Sequence, residues 1–450
     1  MLIDVPAFID SRKIGRFQIL VAALCAMVVL LDGLNTQVIG YLGPVLSQDW
    51  NLSRAVLGPV FSASLAGLMI GLLVIGPLSD RVGRKLAIVL STVLFGCFTL
   101  LTATAHGVPD LFFYRLMAGI GLGGALPNAL ALTGEYCPTR RRATLVVIMF
   151  CGFSLGSILG GGLTAALVSR FGWRPVFLAG GALPLFFSPI LIAMLPESIP
   201  FLVAKGTKSD QIARLLRRID PTFAPPPGTR FVTAEPLATG MPVAHLFHSG
   251  RALGTLLLWL VFFLNLLVFF FLQNWLPTVL SDSGLATETA ILVSTLISVG
   301  GIAAGILSGP LMDRFGPYPV LAVLYLSGTV FVALIGLAPT SLPAIIAITF
   351  GAGFSVSGGQ KSVNALAVIF YPTAVRSTGV GWALGVGRIG SIIGPLLGGW
   401  LMARGWSNVN IFEFASLPML CAALVVSAMG LRYGSNHKGY VSDKKRPALA

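Results

Sequence analysis

Four ionisable side chains lie inside long apolar stretches of this 450-residue sequence: Asp32, Arg115, Lys361 and Arg388. A charge in the middle of a bilayer is costly unless it is paired or hydrated, so each is a functional candidate by default. The guanidinium fork of Arg388 matches a carboxylate with two parallel hydrogen bonds, making it the best partner for an anion. Lys361 offers a compact point charge, suited to a second carboxylate or a phenolate-side oxygen. Asp32 is the proton-carrier candidate, because burial favours the neutral form of a carboxylate. Its structural alternative is simple pairing with a buried cation. Asn35 shares a helix face with Asp32; its amide can bond a hydroxyl but cannot carry a proton at neutral pH. Gln360 and Asn364 offer neutral contacts beside Lys361, and interhelical hydrogen bonding is the commoner use of all three amides. Arg115 lies about two turns into its helix, where it either steers anions inward or holds a tertiary salt bridge. Trp275 and Trp382 are the aromatic candidates for stacking on a ring.

The elements that must position these groups are spanning helices. Apolar residues make up 55% of the chain and charged residues only 10%, against about 25% charged in a soluble domain. Apolar runs of roughly 20 residues are what a bilayer demands, and the 53 glycines suit close helix–helix contact in lipid. The runs fall near 17–44, 53–77, 86–105, 109–134, 143–169 and 175–195, then 251–280, 287–312, 318–338, 342–370, 374–404 and 408–432. The expected fold is an all-α polytopic membrane protein of twelve helices in two six-helix bundles. Its divisions are a first bundle over 1–195, a central loop over 196–250, a second bundle over 251–432 and a basic tail over 433–450. The first run is too long for a cleavable signal and carries Asp32.

Lysine and arginine set the orientation. With both termini cytoplasmic, 23 of the 30 fall on the inner side, four on the outer side (Arg54, Arg170, Arg174, Arg404), and Arg115, Lys361 and Arg388 within spans. The net charge of +14 therefore reads as a membrane-surface signature, not a nucleic-acid one. Five scattered cysteines show neither metal-ligand spacing nor pairing, so free thiols are expected.

The halves repeat at an offset of 233–234 residues. Gly76-Pro77-Leu78-Ser79-Asp80-Arg81-Val82-Gly83 recurs as Gly309-Pro310-Leu311-Met312-Asp313-Arg314-Phe315-Gly316, Pro138 and Arg142 recur as Pro372 and Arg376, and Gly156-Ser157-Ile158-Leu159-Gly160 recurs as Gly390-Ser391-Ile392-Ile393-Gly394. Duplicated halves let one bundle rock against the other, pointing to alternating access rather than a static pore. The repeat does not extend to the charges: Leu266 stands opposite Asp32, and Ser154 opposite Arg388. Whatever chemistry the charges carry is asymmetric. Asp80, Arg81, Arg84, Lys85, Glu135, Arg142, Asp313, Arg314 and Arg376 lie at span ends, too shallow for a midplane site, and read as gating residues. A carboxylate at the start of the third helix, expected from Asp80, would be stabilised by the positive helix end.

The loop Gly76 to Lys85 resembles the helix 2–3 motif of the major facilitator superfamily. A narrower resemblance, to the aromatic acid–proton symporters, runs nearly end to end. It rests on Leu31-Asp32-Gly33-Leu34-Asn35, on Arg115 with Gly119, Gly121, Gly123, Gly124, Pro127 and Asn128, and on Glu135-Tyr136, Pro196-Glu197-Ser198 and Trp275-Leu276-Pro277. It continues through Phe370-Tyr371-Pro372, Arg376, Gly379, Trp382 and Gly385 to Gly390 with Arg388. The resemblance implies import of benzoate-like carboxylates with protons. Two positions depart from that family: Asn35 stands where it usually carries a second aspartate, and Lys361 where a small or polar residue is expected. With one aspartate, one coupled proton is expected. The expected partners are a small aromatic carboxylate, protons and the lipid bilayer, with no nucleic acid, no cofactor and no metal, in a monomer of the bacterial inner membrane. Alternatives are another organic anion (muconate-like or phenylpropionate-like), a drug–proton antiporter, or a transporter-derived receptor. The antiporter-like motif Gly390 to Gly399 lies in the eleventh span instead of the fifth, and two buried cations disfavour a cationic drug. No nucleophile elbow or metal motif supports an enzyme.

Overall fold

The computed structural model describes residues 2–206, 209–226, 229–232, 243–248, 250–337, 341–371 and 375–433, without the side chains of 142–144, 146, 147, 376 and 377. The basic tail beyond 433 and the side chains of Arg142 and Arg376 thus lie outside the described residues. In chain order the elements are β1 (Leu2–Asp4), α1 (Val5–Ser11), α2 (Arg16–Tyr41), α3 (Gly43–Asp49), α4 (Arg54–Val82), α5 (Arg84–Thr102), α6 (Val108–Tyr136), α7 (Thr139–Phe171) and α8 (Arg174–Met194). Then come α9 (Ile199–Ala204), α10 (Ser209–Ile219), β2 (Arg230–Val232), a 3-10 turn (Ala244–Phe247), α11 (Ala252–Asp282), α12 (Thr287–Phe315), α13 (Pro317–Gly336), α14 (Leu342–Phe370), α15 (Arg376–Ala403) and α16 (Asn408–Tyr433). Twelve of these helices are long and apolar enough to cross a membrane, and their bounds fall within a few residues of the sequence runs. Among the described residues the only strands are β1 and β2, a short parallel pair with Ile3 opposite Phe231.

The chain forms two compact units, Met1–Trp50 with Ala63–Leu237 and Asn51–Ser62 with Ala238–Ala450. The first turns of α4 thus group with the second unit: Arg54 pairs with Asp282 (2.7 Å), and the Ser62 hydroxyl donates to the Ile392 carbonyl (2.8 Å).

Each unit uses glycine to bring one pair of helices into backbone contact. In the first unit a side chain on Gly156 of α7 would overlap the Leu30 carbonyl of α2. In the second, a side chain on Gly390 of α15 would overlap the Phe263 carbonyl of α11. These glycines are counterparts in the repeat, so the duplicated sequence encodes one duplicated crossing. Such close approach is how helices gain packing energy where lipid supplies no hydrophobic drive between them. The two repeat loops also share a stop signal: Gly83 has φ +105° and Gly316 φ +88°, which ends α4 and α12 in a conformation that side chains resist.

Part of the segment read as the central loop is folded onto the first unit. Ile199, Leu202, Ile212 and Leu216 from α9 and α10 join Val5, Ile9 and Phe17 in one apolar cluster. Arg12 pairs with Asp220 across it (2.8 Å). Two hydrogen bonds from Thr222 and the neighbouring Arg12 hold the Asp220 carboxyl below the usual carboxylate range.

Candidate functional site

In the first unit, α2 and α6 carry the polar core. Asp32 lies 16 residues along α2 from Arg16, about 24 Å at the helical rise, and is almost fully buried. Its Oδ1 accepts a hydrogen bond from the Thr36 hydroxyl (2.9 Å), one turn on. Asn35 is buried too; its amide nitrogen donates to the carbonyls of Leu31 (3.1 Å) and Gly180 (3.1 Å), tying α2 to α8. Its Oδ1 has no hydrogen-bond partner among the described residues.

Arg115 is fully buried. Its Nε donates to the Ser64 hydroxyl (2.9 Å) and its Nη2 to the Asn35 main-chain carbonyl (2.9 Å), while its guanidinium lies 5.7 Å from the centroid of the Phe177 ring. Nη1 has no partner among the described residues. Neutral acceptors and a ring face therefore surround a full positive charge. Of the two uses expected for Arg115, the tertiary salt bridge is not formed among the described residues. Helix packing explains the tightness: a side chain on Gly119 would overlap the Ser64 carbonyl, which locks α6 against α4 one turn from Arg115.

In the second unit the cations lie on α14 and α15. Lys361 is partly buried, and its Nζ donates to the Gly301 carbonyl of α12 (2.6 Å). Gly301 is the middle residue of α12. The lysine stem thus carries its charge to the centre of the neighbouring helix, deeper than its own Cα. Beside it, the Gln360 amide nitrogen donates to Asn364 Oδ1 (3.3 Å), and the buried Gln360 Oε1 has no partner among the described residues. Arg388 lies 12 residues from the start of α15, about 18 Å along it, and is partly buried. Its carbonyl accepts from the Ser391 hydroxyl (2.6 Å), and Gly387 and Gly390 press its turn against α11.

The two tryptophans differ. Trp275 is fully enclosed; its Nε1 donates to the Pro395 carbonyl (2.9 Å) and its ring meets Phe61 edge-on (5.1 Å). Trp382 is 46% exposed and stacked on Trp259 (5.8 Å between centroids, 18° between planes).

At the α4–α5 turn one sequence expectation needs correction. Asp80 remains in the last turn of α4, exposed, because the chain leaves the helix only at Gly83. The carboxylate at the start of α5 is that of Glu197, whose Oε1 accepts from the main-chain N–H of Arg84 (2.8 Å), Lys85 (3.0 Å) and Ser198 (2.8 Å). These are the orphan donors that every helix start presents. A side chain on Gly83 would overlap Glu197 Oε2. Arg84 also pairs with Glu135 (2.5 Å), the Tyr136 hydroxyl donates to the Glu197 carbonyl (2.6 Å), and Lys85 Nζ donates to the Ile192 carbonyl (2.7 Å). Arg81, Asp313 and Arg314 are exposed. Sequence reasoning quoted Glu197 but gave it no contact, and it missed Ser64, Thr36 and Gly301. No spacing in the sequence points to Ser64, Thr36 or Gly301, since hydroxyls and glycines are abundant throughout the chain.

Residues 25–339 and 258–447 match the sequence profile of the Major Facilitator Superfamily. The chain is 42% identical over 429 residues to the gallate transporter of Pseudomonas putida, covering 95% of each protein. It is 39% identical to the 4-hydroxybenzoate transporter PcaK of Pseudomonas aeruginosa, covering 95% of this chain and 96% of that one. Its fold matches the partially occluded, inward-open structure of the xylose transporter XylE from E. coli, with TM-score 0.71 at 19% identity, over 93% of this chain and 98% of that one. Twelve spans and bacterial transporter relatives make it a multi-pass protein of the bacterial inner membrane, and not an enzyme. The chain belongs to the major facilitator superfamily, in the group that includes the gallate and 4-hydroxybenzoate transporters.

Proposed function

We propose that this protein imports ring-hydroxylated aromatic carboxylates together with protons, by alternating access. The observation that carries the reading is the distribution of charge. The second bundle holds two cations at depth, Lys361 and Arg388, and no acidic residue between Glu288 and Asp313 on α12 or anywhere on α14 and α15. A site with that balance favours an anion. The relatives named for gallate and 4-hydroxybenzoate narrow the anion to an aromatic acid. In this reading Arg388 takes the carboxylate through its guanidinium fork, with Lys361, Gln360 and Asn364 as further contacts and Trp382 as the stacking surface.

The first bundle supplies the proton. Moving one negative charge inward against an inside-negative potential costs about 2.3 kcal/mol per 100 mV. One proton carried with one monoanion removes that cost, and Asp32 is the only carboxylate deep within the spans of the first bundle. With Asn35 beside it unable to titrate, the stoichiometry is one proton per acid. Both termini are cytoplasmic, following the 23 inner basic residues, and the Arg84–Glu135–Glu197 cluster acts as a gate support on that side.

The test is uptake of radiolabelled 4-hydroxybenzoate and gallate into proteoliposomes with an imposed pH gradient, acid outside. Concentrative uptake that collapses with a protonophore is expected. Uptake of neither acid, or uptake indifferent to the gradient, sinks the reading.

A further inference from the structure

The seam between α12 and α14 is built from small residues. A side chain on Gly358 would overlap Ala304 Cβ, one on Gly353 would lie 2.5 Å from the Ile297 carbonyl oxygen, and one on Gly301 would overlap the Ser357 hydroxyl. These glycines are accounted for by close helix approach. Gly305 is different. A Cβ there would meet only Lys361, at 3.0 Å from Cδ and 3.8 Å from Cε. Outside its own helix, no other atom of the described residues lies within 4 Å, so its missing side chain serves the lysine stem. One turn earlier, Gly301 leaves its carbonyl open to Lys361 Nζ (2.6 Å), and a Cβ on Gly301 would stand 3.1 Å from that nitrogen. The two glycines form a trough in which the Lys361 side chain lies, with its charge at the centre of α12.

We infer that Gly305 is a positioning residue for Lys361, and that the ammonium so placed is the specificity-determining contact for a ring oxygen of hydroxylated aromatic acids. This rests on the transport reading above and assigns the part of the substrate that Lys361 recognises. The chemistry divides the two cations. A planar fork is matched to the two oxygens of a carboxylate, whereas a compact ammonium with three rotatable donors is matched to a single oxygen. A hydroxyl needs a donor for its oxygen and an acceptor for its hydrogen. Lys361 is the donor, and the buried Gln360 Oε1, on the same turn and without a partner among the described residues, is the acceptor. The Gly301 carbonyl holds the ammonium in place when no acid is bound. A helical carbonyl has a second lone pair after its own helix bond, so it can release the lysine without breaking α12.

The experiment compares wild type, Lys361→Met, Lys361→Arg and Gly305→Val, each full-length in proteoliposomes. It measures KM for 4-hydroxybenzoate and the inhibition constants of gallate and unsubstituted benzoate. Lys361→Met and Gly305→Val are expected to raise the gallate and 4-hydroxybenzoate constants roughly 10-fold or more, as loss of a charged hydrogen bond does. Both should leave benzoate within about 3-fold, the range of an unaltered contact. Lys361→Arg should fall between. A purely structural role for the seam would shift all three acids together, so the ratio of constants is the deciding readout. Outside its own helix, the Cβ added by Gly305→Val meets only the lysine stem, and a melting temperature matching wild type confirms its fold. If the wild type carries the acids but the ratio does not move, the inference is overturned and the transport reading stands. If the wild type carries none of them, both fall.

Discussion

The two bundles descend from one repeated pattern yet handle buried charge in opposite ways. In the first, Arg115 is fully enclosed and held by a hydroxyl, a main-chain carbonyl and an aromatic face, and the only deep carboxylate is Asp32. In the second, both deep cations are partly buried, and Lys361 leans on a helix carbonyl. A buried charge held only by neutral dipoles is fixed in place, since any move would cost it those bonds. A partly buried one keeps access to a ligand. The comparison teaches that the repeat builds one scaffold twice while the charges set into it differ between the halves; on the reading proposed above, the first handles the proton and the second the anion.

The largest test of that division is Asp32→Asn. It should abolish pH-driven uptake, by roughly 100-fold or more if the proton step is obligatory, while exchange of preloaded acid persists. Equal loss of uptake and exchange would make Asp32 structural and erase the contrast. Next, Arg388→Ala should raise KM about 10- to 100-fold, the usual consequence of losing a charge-assisted, bidentate contact. A fall in the maximal rate at constant KM would instead place Arg388 outside the anion site. Asn35→Asp sharpens the comparison by giving the first bundle a second carboxylate one turn from Asp32, on a residue whose main-chain carbonyl accepts from Arg115. The number of protons per acid, read from the reversal potential of uptake, should rise from one to two, making transport electrogenic. An unchanged reversal potential would show that Arg115 neutralises the new carboxylate permanently.

The smallest effect belongs to Glu197→Gln, which weakens the cap on α5 without touching either deep site. A loss of about 0.5–2 kcal/mol, typical of a helix cap, should lower the melting temperature by a few degrees and leave KM unchanged. A changed KM would tie the α4–α5 turn to the transport sites.

Much of this was legible in the chain itself. Long apolar runs can only be spanning helices, because a backbone in lipid must satisfy its own hydrogen bonds. The repeat of Gly156 at Gly390 marked the halves as duplicates, but that these two glycines make the paired α2–α7 and α11–α15 crossings came from the packing. Depth along a helix followed from the rise per residue, which singled out Asp32, Arg115, Lys361 and Arg388. Direction did not follow. Whether Arg115 meets a carboxylate or a hydroxyl, and whether Glu197 or Asp80 faces the start of α5, depends on which turn of a distant helix lies opposite. Likewise, Gly305 is one of 53 glycines until Lys361 is seen lying against it. Sequence fixes what a residue can do and how deep it lies; only the packing of helices far apart in the chain decides which partners come within hydrogen-bond reach.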